Sequence, residues 1–203
     1  MKTTKIDFFC GFLGAGKTTF LKKMVTEVYR NGKIVLLENE TGTETVDEEF
    51  RKQTGLSVAS VGSGCICCGS AGDFEAQLQT ILGWQCPDRL LIEPAGMAKL
   101  SELLQSVENV RRFFAADGTN SFQVEHRITV VDARRYASYL RNYGEFYRDQ
   151  IANADLVVLS HIQEAGAERL QACIDTVEKL NPQAQLLARP WEELSLQEIM
   201  GNT

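Results

Sequence analysis

Short apolar or β-branched runs alternate along the chain with longer stretches whose apolar residues recur at helical spacing, the pattern of a sheet wrapped by helices. Lys5 to Phe9 predicts a first strand. Thr18 to Tyr29 predicts a helix with Phe20, Leu21, Met24, Val25 and Val28 on one side, ended by Asn31-Gly32. Ile34 to Leu37 predicts a second strand, Val46 to Gln53 a short acidic helix, and Leu56 to Val61 an extended stretch broken by Gly62 and Gly64. Ala71 to Leu82 reads as a helix, Arg89 to Ile92 as a buried strand, Leu100 to Ala115 as a helix and Asp117 to Asn120 as a turn. Next come a strand at Arg127 to Val131, helices at Ala133 to Tyr139 and Glu145 to Ala154, a strand at Leu156 to Leu159 and a long helix at Gln163 to Leu180. Asn181-Pro182 stops that helix, Gln185 to Ala188 is the expected closing strand, and Ser195 to Met200 a last short helix. The class is α/β, with a mostly parallel central sheet flanked by helices. No repeat or linker-like stretch divides it, so one domain is expected over residues 1–203.

Composition narrows the partners. The 203 residues are 44% apolar and 24% charged, enough for one well-buried core. With 27 acidic against 21 basic residues the net charge is −6, which offers no basic face for DNA or RNA phosphates. No apolar run approaches the roughly 18 residues that span a bilayer, and the amino terminus lacks the features of a secretory signal, so a cytoplasmic protein without a membrane partner is expected. Three of the six cysteines, Cys65, Cys67 and Cys68, fall within a single turn's length. In a reducing compartment that clustering points to metal or redox chemistry rather than disulfides. Isolated Cys10, Cys86 and Cys173 read as small buried apolar residues.

Gly11-Phe12-Leu13-Gly14-Ala15-Gly16-Lys17-Thr18 satisfies G-x-x-x-x-G-K-[ST], with a strand before it and a helix after it. The glycines let successive backbone N–H groups face one point, and the positive end of the helix dipole adds to it, so the point suits a polyphosphate. There Lys17 supplies a point charge for the β- and γ-phosphates, the Thr18 hydroxyl a ligand for Mg²⁺, and Thr19 a neighbour for the α-phosphate.

Gly64-Cys65-Ile66-Cys67-Cys68-Gly69 places three potential thiolates on a glycine-flanked segment. Cys65 and Cys67 project to one side of an extended chain, and a turn at Cys68-Gly69 can bring the third sulfur to them. Three soft ligands favour Zn²⁺, Cu⁺ or a similar thiophilic ion, with a fourth position left open. Reduced structural thiols, or a redox pair without metal, are the alternatives.

Taken in order, these motifs resemble the CobW-type P-loop GTPases, the branch related to the nickel chaperones HypB and UreG. Gly11 to Thr19 looks like the family's phosphate loop. Asn39-Glu40 with Gly42 and Asp47 is similar to its first switch, and Gly64 to Cys68 matches its C-x-C-C signature. Glu93-Pro94-Ala95-Gly96 resembles its E-x-x-G element, Val130 to Ala133 a further strand end, and Leu180 to Ala184 the segment before its last strand. The resemblance implies a Mg-dependent triphosphatase whose switch segments connect the γ-phosphate to a metal site. Glu93 would hold Mg²⁺ through water, and the Gly96 N–H would approach the γ-phosphate. Glu40 would either orient the attacking water or lend the metal an oxygen; a solvated strand end is the plainer alternative.

The guanine-reading N-K-x-D of the family is here Ser160-His161-Ile162-Gln163. Gln163 can accept a hydrogen bond but carries no charge, and His161 can stack on a base, so GTP and ATP both stay open. Longer members carry a second domain and a histidine-rich stretch; here only His126 and His161 are present, so metal chemistry would rest on the cysteines with one carboxylate or His126 beside them. Arg111-Arg112 and Arg134-Arg135 read as solvated helix faces, and Phe113, Phe114, Tyr136, Tyr139, Tyr143 and Tyr147 as packing residues. The expected function is triphosphate hydrolysis coupled to delivery of a metal or metal cofactor to a client metalloprotein or corrinoid protein. A homodimer is compatible with it. The rivals are a non-hydrolysing regulatory module with sensing cysteines and an ATP-using accessory protein for a corrinoid- or metal-dependent enzyme.

Overall fold

A computed structural model describes residues 3–27, 29, 32–38, 46–60, 71–117, 122–191, 194–195 and 198–199. In chain order the elements are β1 (Thr4–Gly11), α1 (Lys17–Glu27), β2 (Ile34–Glu38), α2 (Glu48–Thr54), β3 (Ser57–Ser60) and α3 (Ala71–Thr80). A π-helical turn (Ile81–Gln85), β4 (Arg89–Glu93), α4 (Leu100–Asp117), β5 (Phe122–Asp132), α5 (Tyr136–Asn142) and α6 (Gly144–Ala152) follow. The chain continues through β6 (Leu156–Ser160), α7 (Ile162–Ala165), α8 (Ala167–Leu180) and β7 (Gln185–Leu187). Among the described residues the strands form one sheet in the order β3-β2-β4-β1-β5-β6-β7, every neighbouring pair parallel.

A parallel sheet is covered on both faces, which is why β1 reads as a continuous apolar run rather than an alternating one. Ile6, Phe8 and Cys10 point into a core shared with Leu78 and Leu82 near the end of α3 and with Leu103, Val107 and Val110 of α4. Phe9 points the other way, to Phe20, Leu21 and Met24 of α1. On the far side of β5, Val131, Val157 and Leu159 meet Tyr147 and Ile151 of α6 and Cys173 and Val177 of α8. The order of the strands reverses direction about β1, so the carboxyl end of β1 opens into the crevice where such sheets bind ligands.

Four expected elements differ, each for a local reason. The helix expected to Leu82 becomes π-helical after Thr80, keeping Ile81 and Leu82 buried while Gly83 sits close to the Phe114 ring. β5 begins five residues earlier than Arg127, because Glu125 forms a bulge opposite Ile6 and Asp7 and its charged neighbours find partners inside the sheet. The turn Asp132–Arg135 delays α5, the Asp132 carboxylate accepting from the Arg134 N–H at 2.8 Å. The long helix expected from Gln163 is broken at Gly166, whose φ of 76° and ψ of 150° are not helical. The first switch at Asn39-Glu40, the Cys65-Cys67-Cys68 segment, the turn at Gly118 to Asn120 and part of the Ser195 to Met200 helix lie outside the described residues.

Candidate functional site

The loop between β1 and α1 is shaped by three glycines at positive φ: Gly11 at 139°, Gly14 at 73° and Gly16 at 91°. At Gly11 a Cβ would lie 2.3 Å from the Val130 carbonyl oxygen, so no larger residue fits between β1 and β5 there. Within the loop the Ala15 N–H donates to Phe12 O at 3.1 Å, and the Phe20 N–H to Gly16 O at 2.9 Å as α1 begins. Lys17 is the first residue of α1 and is buried, its Nζ 3.4 Å from Phe12 O. Thr18 is buried beside it, and Thr19 is exposed. The hydroxyl of Thr18 donates to Glu93 Oε1 at 2.9 Å. Because β4 pairs directly with β1, the end of β4 delivers that carboxylate to the first turn of α1. Two hard oxygen donors at a helix amino terminus next to a glycine cradle suit Mg²⁺ bound with a polyphosphate.

The residues after Glu93 close over the loop. A Cβ at Gly96 would be 3.0 Å from Leu13 N and 3.4 Å from Phe12 C, so the two backbones approach as closely as a glycine permits. Phe12 is held from the other side by an aromatic group, its ring centroid 4.7 Å from Tyr139, 5.7 Å from Tyr143 and 5.5 Å from Tyr147. The Tyr139 hydroxyl donates to Leu13 O at 3.2 Å. The tyrosines of α5 and α6 therefore pack on the phosphate loop itself.

At the end of β6, Ser160 is buried and its hydroxyl donates to Ala15 O at 2.7 Å, latching this strand to the loop. In the sequence Ser160 stands out only because it occupies the place of the family's asparagine. His161 follows at φ 55°, its Nδ1 3.1 Å from Glu164 Oε1, and Gln163 is exposed. Arg134 is not the solvated residue expected. It bonds buried Asp132 through Nη2 at 2.8 Å and Nε at 3.1 Å, and reaches Glu164 through Nη1 at 2.6 Å. Burial alone would raise the Asp132 pKa; the Arg134 hydrogen bonds outweigh it and hold the carboxyl below its ordinary value.

His126 lies elsewhere. It pairs with Asp7, four residues back along β1 from Gly11 and so about 13 Å from the loop. Asp7, Glu125 and His126 bring ligand atoms within 4.8 Å of one another, yet their oxygens are already committed. Asp7 faces His126 Nδ1 at 2.9 Å and Arg89, while Glu125 faces Arg89 and, at 2.5 Å, Lys5. This is an ion-pair network inside the sheet. Cys86 is exposed rather than buried as expected, at φ 44° where the π-helical turn ends. Cys10 and Cys173 are buried, and burial pushes each thiol up to about 12. Under native conditions iodoacetamide is expected to modify Cys86 within minutes and leave these two intact. Peptide mapping that found Cys10 or Cys173 modified as fast as Cys86 would contradict this.

A parallel sheet with a glycine cradle at its switch point, a buried lysine and a threonine–carboxylate pair defines a phosphate-loop nucleotide-binding fold. Residues 6–188 match the family described as CobW/HypB/UreG, nucleotide-binding domain, and the chain belongs to that family. It is 32% identical over 179 residues to the zinc chaperone YjiA of Escherichia coli K12, covering 84% of this chain and 53% of that protein. It is 28% identical over 169 residues to the zinc chaperone YeiR of the same organism, covering 83% and 50%. The chain thus spans about half the length of the curated relatives it matches. The crystal structure of Zn(II)-bound YjiA GTPase from E. coli superposes with a TM-score of 0.68 at 22% identity, over 98% of this chain and 61% of that one.

Proposed function

We propose that this chain is a Mg-dependent triphosphatase, with GTP as its nucleotide, that couples hydrolysis to delivery of Zn²⁺ or another thiophilic ion to a client metalloprotein. The observation that carries the reading is the Thr18–Glu93 contact of 2.9 Å beneath the glycine cradle, with Gly96 packed against the same loop. The names of the relatives, zinc chaperones and a Zn(II)-bound GTPase, support it.

In this reading the N–H groups from Gly14 to Thr19 surround the phosphates and Lys17 neutralises the β- and γ-oxygens. Bound Mg²⁺ would neutralise charge developing on the phosphates, with Thr18 as its ligand and Glu93 holding its water. The Gly96 N–H senses the γ-phosphate, and Glu40 orients the attacking water. Loss of the γ-phosphate frees the Gly96 loop, which changes the hold of Cys65, Cys67 and Cys68 on their ion. His161 and Gln163 flank the base, and the word GTPase in the name of the Zn(II)-bound YjiA structure supports guanine; competition between GTP and ATP in one titration checks that preference.

Metal analysis of the wild type beside Cys67→Ser, each with and without a non-hydrolysable triphosphate, tests the coupling. About one thiophilic ion per wild-type chain is expected, lost in the variant and altered by the triphosphate. A metal content indifferent to both changes would overturn the reading.

A further inference from the structure

Gln150 of α6 is 1% exposed, and its amide makes two hydrogen bonds to one short segment. Nε2 donates to Gly96 O at 3.0 Å and to Ala98 O at 2.8 Å, using both of its hydrogens on the loop between Glu93 and α4. The helix that carries it is fixed from behind, since the Thr129 hydroxyl of β5 donates to the Gln150 carbonyl at 2.8 Å. The adjacent Asp149 accepts from the Ser101 N–H at 3.0 Å and from the Ser101 hydroxyl, and Glu145 pairs with Lys99. Tyr147, on the same helix, packs on Phe12 of the phosphate loop. One helix therefore grips both the phosphate loop and the segment that approaches it at Gly96.

We propose that Gln150 is a positioning residue that holds the Gly96 segment against the phosphate loop and so sets how well the protein distinguishes a triphosphate from a diphosphate. This rests on the reading of Gly96 as the γ-phosphate sensor. A buried carbonyl without its donor is costly. Without the Gln150 amide, Gly96 O and Ala98 O recover partners most cheaply by moving out to water, which draws the Gly96 N–H away from the mouth of the loop. The competent arrangement becomes a smaller fraction of the population, and apparent affinity falls by that fraction for any ligand that needs it. A triphosphate needs it because of its γ-phosphate. A diphosphate, held by the loop alone, does not.

The test uses the full chain, Gln150→Met, which keeps the bulk and loses both donors, and Gln150→Asn, which keeps the amide one methylene short. Binding of a fluorescent guanosine βγ-imidotriphosphate and of the matching GDP is measured with Mg²⁺, beside a thermal melt of each protein. The expected result is about a tenfold weaker triphosphate affinity in Gln150→Met with GDP within about twofold, and an intermediate loss in Gln150→Asn. Equal losses of both nucleotides, or no loss of either, would overturn the proposal. If Gln150→Met does not fold, the triphosphate-to-diphosphate ratio of Gln150→Asn decides alone, an unchanged ratio counting against the idea. A wild type that binds neither nucleotide sinks the nucleotide reading itself, whereas a wild type that binds both with a variant ratio unchanged sinks only the role of Gln150.

Discussion

Arg89→Met is expected to destabilise the protein by about 3–5 kcal/mol, seen as a lower urea midpoint with little change in slope. The Arg89 guanidinium bonds both Asp7 and Glu125, and its carbon lies 4.2 Å from the centre of the Tyr29 ring. Asp7 is fully buried in the central strand of the sheet. Methionine keeps the apolar stem and removes the charge, leaving a carboxylate inside the protein with His126 as the partner that remains on its other oxygen. The size of the effect comes from that stranded charge more than from the lost attraction. Adding Asp7→Asn to Arg89→Met should therefore restore part of the stability, although each change alone is harmful. A loss below about 1 kcal/mol for Arg89→Met would mean that water reaches Asp7 and that the network is not sealed.

Lys17→Met should have the opposite signature. Its side chain is buried at the start of α1 under the loop, so replacing it removes a positive charge from the place where the phosphates are proposed to sit. Truncating one partner of a desolvated charge pair costs about 2–5 kcal/mol of binding, so GDP affinity should fall by roughly 30-fold or more. Stability without nucleotide should change by no more than about 1.5 kcal/mol, because methionine keeps the buried stem at nearly the same volume. Titration with a fluorescent GDP alongside thermal melts reads both quantities. Affinity within about threefold of wild type, or binding and stability lost together, would count against a phosphate-binding role.

The sheet was legible because both of its faces are covered, which writes its strands as apolar runs, and because the phosphate loop is a local motif with its own glycines. What stayed hidden depends on partners far away in sequence. Glu125 and His126 look like polar loop residues by periodicity, yet they extend β5 because Asp7 and Arg89 pair with them. Gln150 is unremarkable on an amphipathic helix, and its acceptors lie more than fifty residues upstream. Arg134 folds back on Asp132 through a short-range turn that the Asp two residues before it signals in the sequence. The hydroxyl latch of Ser160 to Ala15 joins residues far apart in sequence and exists only because β6 ends beside the loop.

The order of the strands also bears on how the protein comes to be made. β1 precedes the other described strands in the chain and lies at the centre of their order, flanked by β4 on one side and β5 on the other. Its second neighbour is complete only at Asp132, so its apolar run waits until β5 has been synthesised before both edges are paired. Parallel pairing over such separations is slow, and an unpaired apolar edge is what chaperones bind and what aggregates form from. Truncations ending before Asp132 should accumulate as insoluble protein even though they carry the complete phosphate loop.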